Sequence, residues 1–76
     1  MISPLAYVDP EAKLGKNVTV LPFAYIEKDV EIGDDCTIMS YASILKGTKM
    51  GKGNKIHQNA VLGAEPQDFT LYRGRK

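Results

Sequence analysis

The sequence has very few residues of the types that define several large classes of protein. It contains one cysteine, Cys36, and one histidine, His57, among 76 residues. One cysteine excludes an internal disulfide framework, and these two side chains are too few for a zinc site of the usual kind. Because 10 basic residues nearly balance 9 acidic ones, no strong field favours nucleic acid as a partner. We therefore expect neither a metal nor a nucleic-acid partner.

Long apolar runs are also lacking. No segment approaches the roughly 20 apolar residues of a transmembrane helix, and the N-terminus has no signal-peptide pattern. A single cysteine fits a reducing, intracellular setting. We therefore predict a soluble cytoplasmic domain with no membrane insertion. A chain of this length buries only roughly 60% of its unfolded surface, so partner chains usually help to stabilise it.

The sequence does contain a repeat with a period of six residues. Every sixth residue from position 2 to position 62 is aliphatic: Ile2, Val8, Leu14, Val20, Ile26, Ile32, Ile38, Ile44, Met50, Ile56 and Leu62. Two residues earlier stands a residue no larger than valine or asparagine: Ala6, Ala12, Val18, Ala24, Val30, Cys36, Ala42, Thr48, Asn54 and Ala60. Six is a multiple of the strand period and fits neither a helix nor a coiled coil. The aliphatic residues are therefore expected on one side of short strands.

Short strands joined by corners, three to a coil, predict a prism of triangular section. Each turn then takes about 18 residues, and one aliphatic residue fills the inside of each wall. The number of repeats predicts an all-β parallel β-helix of a little over three coils. The glycines after four of the aliphatic residues, Gly15, Gly33, Gly51 and Gly63, are expected to supply positive φ at the corners. An ordinary β-meander is the alternative.

The repeat resembles that of the bacterial hexapeptide transferases, whose coils form left-handed parallel β-helices. The left hand is implied by this resemblance, because most crossover connections are right-handed. A closer likeness is to the acyl-carrier-protein–UDP-N-acetylglucosamine O-acyltransferases. It is carried by residues 1–12, 22–26, 30–34 and 53–58, and by the Leu62-Gly63-Ala64-Glu65-Pro66-Gln67-Asp68-Phe69 segment.

The resemblance implies a specific reaction. Enzymes of that family transfer a 3-hydroxyacyl chain from acyl carrier protein to the 3-hydroxyl of UDP-N-acetylglucosamine, in the first step of lipid A synthesis. A histidine acts as general base, a backbone N–H stabilises the oxyanion, and the sites lie between the subunits of a homotrimer. The resemblance implies no cofactor. It divides the chain into a β-helix of residues 1–64 and an exit loop with a divergent tail, residues 65–76.

Gln67 and Asp68 match the part of the family's motif that helps to hold the nucleotide sugar. An amide and a carboxylate suit sugar hydroxyls and an N-acetyl group, although both residues can also be read as polar loop residues that end the coil. The family's catalytic histidine lies downstream of this loop, so no catalytic residue is expected in this chain. His57 is interpreted as an outward, solvated side chain, and Cys36 as a buried apolar one.

The likeness ends after Phe69. Thr70 stands where the family usually has lysine, and Arg73, Arg75 and Lys76 make the end of the tail basic. The first hypothesis is therefore the N-terminal part of the acyltransferase, inactive by itself. The alternatives are a structural or assembly module of β-helix coils, or another hexapeptide acetyltransferase. A carbonic-anhydrase-like protein would need several histidines as metal ligands.

Overall fold

The computed structural model describes residues 1–63, which fold entirely as short strands and turns. The ten strands are β1 (Tyr7–Val8), β2 (Lys13–Leu14), β3 (Thr19–Val20), β4 (Tyr25–Ile26), β5 (Glu31–Ile32), β6 (Thr37–Ile38), β7 (Ser43–Ile44), β8 (Lys49–Met50), β9 (Lys55–Ile56) and β10 (Val61–Leu62). Each strand begins six residues after the one before it, so the sequence period is also the structural period. No helix capable of crossing a membrane occurs in this part of the chain.

The strands form three parallel sheets, which are the three walls of the prism. Their orders are β1-β4-β7-β10, β2-β5-β8 and β3-β6-β9. Every pairing joins residues 18 positions apart, as in Val8 with Ile26 and Leu14 with Ile32. One coil therefore takes 18 residues. The predicted parallel β-helix of about three coils is confirmed.

The interior is a stack of aliphatic residues, one from each wall in each coil. The second residue of each strand points inward, and Val20, Ile26, Ile38 and Ile44 are completely buried. The small residues of the second register complete the core: Val18, Ala24, Val30, Cys36 and Ala42. Full burial of one such aliphatic side chain contributes roughly 1.5–3 kcal/mol relative to exposure. Both predicted inward registers are therefore confirmed in the middle coils.

The corners, however, do not obtain positive φ from the glycines that follow the aliphatic residues. The residues with positive φ are Asn17, Phe23, Asp29, Asp35, Tyr41, Gly47, Gly53 and Asn59, and that part of the prediction was wrong. Gly15 and Gly33 are needed for another reason. A Cβ on Gly33 would lie 2.7 Å from the carbonyl carbon of Gly51, and one on Gly15 would collide with the Asp34 carboxylate. These glycines let neighbouring coils approach each other.

Candidate functional site

The outer surfaces of the three walls differ in character. The first residue of each strand points outward, and on the β2-β5-β8 wall these residues are Lys13, Glu31 and Lys49. On the β3-β6-β9 wall they are Thr19, Thr37 and Lys55. On the third wall they are Tyr7, Tyr25, Ser43 and Val61. We call this third surface the tyrosine face, and it is the least charged of the three.

Tyr7 and Tyr25 stack on each other along the tyrosine face. Their ring centroids are 5.3 Å apart and their planes differ by 24°. The stacking follows from the register, because parallel pairing places residues 18 positions apart at the strand spacing of about 4.8 Å. Both rings remain about half exposed. They form a flat aromatic surface that faces solvent.

A carboxylate lies beside each tyrosine. The Tyr7 hydroxyl donates a hydrogen bond to Asp9 Oδ2 (3.1 Å), and the Tyr25 hydroxyl donates one to Glu27 Oε2 (2.9 Å). Glu27 Oε1 also accepts from the backbone N–H of Lys46 (2.8 Å), which belongs to the next coil. Glu27 therefore connects two successive coils at the edge of the face.

These hydrogen bonds shift the pKa values of Glu27 and of the two tyrosines. The Lys46 N–H and then the Tyr25 hydroxyl stabilise the charged carboxylate, so the pKa of Glu27 is lowered from its usual value. The hydrogen bond to Glu27 raises the pKa of Tyr25, and the one to Asp9 raises the pKa of Tyr7. The two tyrosine hydroxyls and the two carboxylates therefore satisfy one another along the edge of the face.

A shallow hollow of about 210 Å³ lies on this face. Its walls are Tyr7, Asp9, Tyr25, Glu27, Lys28 and Lys46. It offers aromatic rings, carboxylate oxygens and two ammonium groups to a ligand or protein surface. Within residues 1–63, no three His, Cys, Asp or Glu side chains lie close enough together to hold a metal ion.

A second aromatic pair lies at the corner next to the tyrosine face. Phe23 and Tyr41 stack with their ring centroids 5.5 Å apart and their planes 19° from parallel. Leu5 occupies the same corner one coil earlier, and all three side chains are more than half exposed. We call these three residues the aromatic corner. Neither aromatic pair was predicted from the sequence, although their spacing of 18 residues, one full coil, was a signal that could have found them.

The residues singled out from the sequence lie elsewhere. Gln67 and Asp68 are outside the described residues, so their proposed role stays a prediction. His57 follows β9 and is exposed, which confirms its interpretation as a solvated side chain. Cys36 is completely buried, and its Sγ–H donates to the Gly51 carbonyl oxygen at 3.2 Å. Its interpretation as a core residue is also confirmed.

The repeated coil defines a class of proteins, the hexapeptide-repeat transferases. Residues 11–38 and 29–64 match the family described as bacterial transferase hexapeptide (six repeats). The two matches together cover 54 of the 76 residues, and the chain belongs to this family. The predicted fold class, a left-handed parallel β-helix, is thereby confirmed, and so is the broad assignment to an acyltransferase-like β-helix. Comparison with curated proteins and with solved structures gives no match for this chain.

Proposed function

We propose that this chain is the β-helix part of a UDP-N-acetylglucosamine 3-O-acyltransferase, which uses an acyl carrier protein as donor in the first step of lipid A synthesis. The observation that carries the proposal is the Pro66-Gln67-Asp68-Phe69 segment, which follows directly on a hexapeptide β-helix of about three coils. The transferase family matched by residues 11–64 supports the general reaction class. The specific substrates come from the resemblance of the segments described above.

The reaction needs one proton acceptor and one oxyanion site. The sugar 3-hydroxyl attacks the thioester carbonyl, a histidine takes the hydroxyl proton, and a backbone N–H stabilises the oxyanion until the carrier thiol leaves. His57, the single histidine of the sequence, does not stand where the family has its base. We therefore propose that this chain does not complete the reaction alone. Because Gln67 and Asp68 match the family's motif, we also propose that they contribute to sugar-nucleotide binding.

The proposal includes a homotrimer, in which neighbouring β-helices form the clefts that hold substrate. A β-helix of this length has a narrow core, and burial between copies would add to its stability. A cytoplasmic setting belongs to the same proposal, because a single cysteine fits a reducing, intracellular compartment.

Binding of the sugar nucleotide tests the proposal directly. Calorimetric titration with UDP-N-acetylglucosamine should give binding that the Asp68→Ala variant weakens by about tenfold or more, as expected when a charged hydrogen-bonding group is lost. The control variant Asp35→Asn, in a corner of the β-helix, should bind like the wild type. Equal affinity in wild type and Asp68→Ala, or no binding by either, contradicts the proposed site. Acyl transfer from hydroxyacyl carrier protein by the 76-residue chain contradicts the proposed absence of a base.

Another hexapeptide acetyltransferase would have a different binding profile. Such a protein takes its acetyl group from acetyl coenzyme A, so acetyl coenzyme A belongs in the same titration. Binding of acetyl coenzyme A without binding of the sugar nucleotide favours that alternative.

A structural or assembly module is the second candidate function, and the aromatic corner favours it. Three exposed apolar side chains in successive coils give a surface typical of protein contacts. Self-association without binding of either nucleotide ligand would favour this function over the enzymatic one.

A further inference from the structure

The residues with positive φ share a chemical character, except at one corner. Six of the eight are asparagine, aspartate or glycine: Asn17, Asp29, Asp35, Gly47, Gly53 and Asn59. These are the types that tolerate the left-handed region. The other two are Phe23, with φ of 70°, and Tyr41, with φ of 66°. Both lie at the same corner, in consecutive coils.

Local preference does not explain aromatic residues at this corner. A bulky side chain with positive φ is an outlier that persists only where the surrounding structure imposes it. Asn59 occupies the same corner one coil later, with a φ of 65°, so the backbone accepts a residue that suits this conformation. Burial within one chain does not fully account for the aromatics either, since Phe23 and Tyr41 remain 53% and 58% exposed. Less than half of each residue is covered within the single chain, through contacts that include their stacking on each other.

The aromatic corner lies next to the tyrosine face, and the two together hold most of the exposed large hydrophobic residues. Apart from Met1 and Ile2 at the N-terminus, every exposed large hydrophobic residue of the described part lies there: Leu5, Tyr7, Phe23, Tyr25, Tyr41 and Val61. Four half-exposed aromatic side chains alone present on the order of 400 Å² to solvent, taking roughly 150–250 Å² for each. The largest apolar patch of a typical monomer is of about this size, and such patches are often functional.

We infer that the aromatic corner, with the adjoining tyrosine face, is the surface through which copies of this chain pack against one another. The corner is a straight stripe parallel to the coil axis, with one apolar residue in each of three successive coils. The same stripe on a second copy can therefore meet it coil by coil. Residues 3–5, 21–23 and 39–41 carry no charge, so the stripe does not select a partner of opposite charge.

The wall opposite the aromatic corner is charged on its outer surface. Lys13, Glu31 and Lys49 alternate in sign along the β2-β5-β8 wall and are placed to compensate one another across the strands. That wall can stay solvated while the opposite corner is buried between copies. The inference locates the contact surface of the proposed homotrimer, but it does not depend on the substrate.

The double variant Phe23→Asn/Tyr41→Asn tests the surface. Because asparagine suits positive φ, the variant should keep the far-UV circular dichroism of the β-helix and its cooperative thermal unfolding. Sedimentation equilibrium should show the wild type associating at tens of micromolar, and the double variant should associate at least tenfold more weakly. The matched control Asp29→Asn/Asp35→Asn changes two residues with positive φ at the other corners and should associate like the wild type.

Cross-linking provides a second test, in which Leu5 and Phe23 remain at the aromatic corner. In a Tyr41→Cys variant, a short bismaleimide should link copies covalently, whereas Asp29→Cys at a different corner should stay uncross-linked. Cys36 is fully buried and provides an unreactive background.

Two results would overturn the inference. One is a strictly monomeric wild type at about 100 µM. The other is equal association of the wild type and the double variant together with equal cross-linking at positions 29 and 41. Loss of sugar-nucleotide binding alone would count against the proposed function and would leave the contact surface unaffected.

Discussion

At the scale of single residues, neighbouring coils pack so closely that one methyl group decides whether a residue fits. Gly33 faces the Gly51–Lys52 backbone of the next coil, and a Cβ there would lie 2.7 Å from both the Gly51 carbonyl carbon and the Lys52 nitrogen. Backbone atoms cannot rotate away as a side chain can. Gly51 occupies the same place one coil later, and no atom of residues 1–63 lies within 4 Å of its Cβ position. The two glycines therefore form a matched pair.

We expect Gly33→Ala to destabilise the β-helix more than Gly51→Ala, because only Gly33 meets backbone of another coil within residues 1–63. Overpacking against backbone typically costs about 1–3 kcal/mol. Urea unfolding followed by circular dichroism measures both free energies of unfolding. Equal values for the two variants would show that the close approach of the coils does not limit stability at Gly33.

At the scale of strands and corners, much of the fold could be predicted from the sequence. The period of six fixes which residue of each strand points inward, so Ile26, Ile38 and Ile44 were predicted as core residues and are completely buried. The origin of the corner conformation could not be predicted, because the space between coils is not visible in a one-dimensional pattern. Positive φ at Phe23 and Tyr41 opposes their local preference. Tertiary structure imposes that conformation.

The side-chain contacts between coils were also not predictable. Glu27 accepts hydrogen bonds from Tyr25 on its own coil and from the Lys46 N–H on the next. The period places Glu27 and Lys46 in neighbouring coils, but it does not determine which rotamers Tyr25 and Glu27 adopt. Contacts of this kind depend on side-chain geometry that only the structure supplies.

Glu27 should therefore titrate below its usual pKa, and Tyr25→Phe should raise its pKa part of the way back. The Lys46 N–H, the larger cause of the shift, remains in the variant. A lowered pKa in the folded state stabilises the fold at pH values above the unfolded pKa. That contribution is lost as the pH falls through the folded pKa. Carboxyl NMR titration measures the shift.

Tyr7→Phe is the control for this titration, because the Tyr7 hydroxyl donates to Asp9 and makes no hydrogen bond to Glu27. An unchanged Glu27 midpoint in Tyr25→Phe would remove the hydroxyl as a cause of the lowered pKa.

At the scale of the whole molecule, the fold class was predicted more completely than the site. Eleven aliphatic positions spaced by six residues indicate the β-helix, and the match of residues 11–64 confirms its family. The proposed sugar site rests on Gln67 and Asp68, two polar residues that are identified from the sequence motif alone. The aromatic corner is recognised only in the structure, where the 18-residue coil places Phe23 next to Tyr41. Surfaces of this kind arise from the assembled coils.

If copies pack through the aromatic corner, the melting temperature should depend on protein concentration. Association that binds only folded chains stabilises them by mass action. A tenfold rise in concentration should then add on the order of 1 kcal/mol per chain, since tenfold in an equilibrium corresponds to about 1.4 kcal/mol. For a domain of this size, 1 kcal/mol raises the Tm by roughly 4–8 °C. Calorimetry at 20 and 200 µM measures the difference.

The Phe23→Asn/Tyr41→Asn variant should show a Tm that is independent of concentration over the same range. At the lowest concentrations, where the wild type is dissociated, the variant should melt close to the wild-type temperature. Asparagine relieves backbone strain that costs about 1–2 kcal/mol for each bulky residue with positive φ. The variant also loses the Phe23–Tyr41 stacking, worth about 0.5–1.5 kcal/mol beyond the ring area that it covers, and this loss opposes the strain relieved at the two positions. If the variant melts well below the dilute wild type, the aromatic pair stabilises the isolated chain. The strain at Phe23 and Tyr41 would then be offset within one chain and would not indicate contacts between copies.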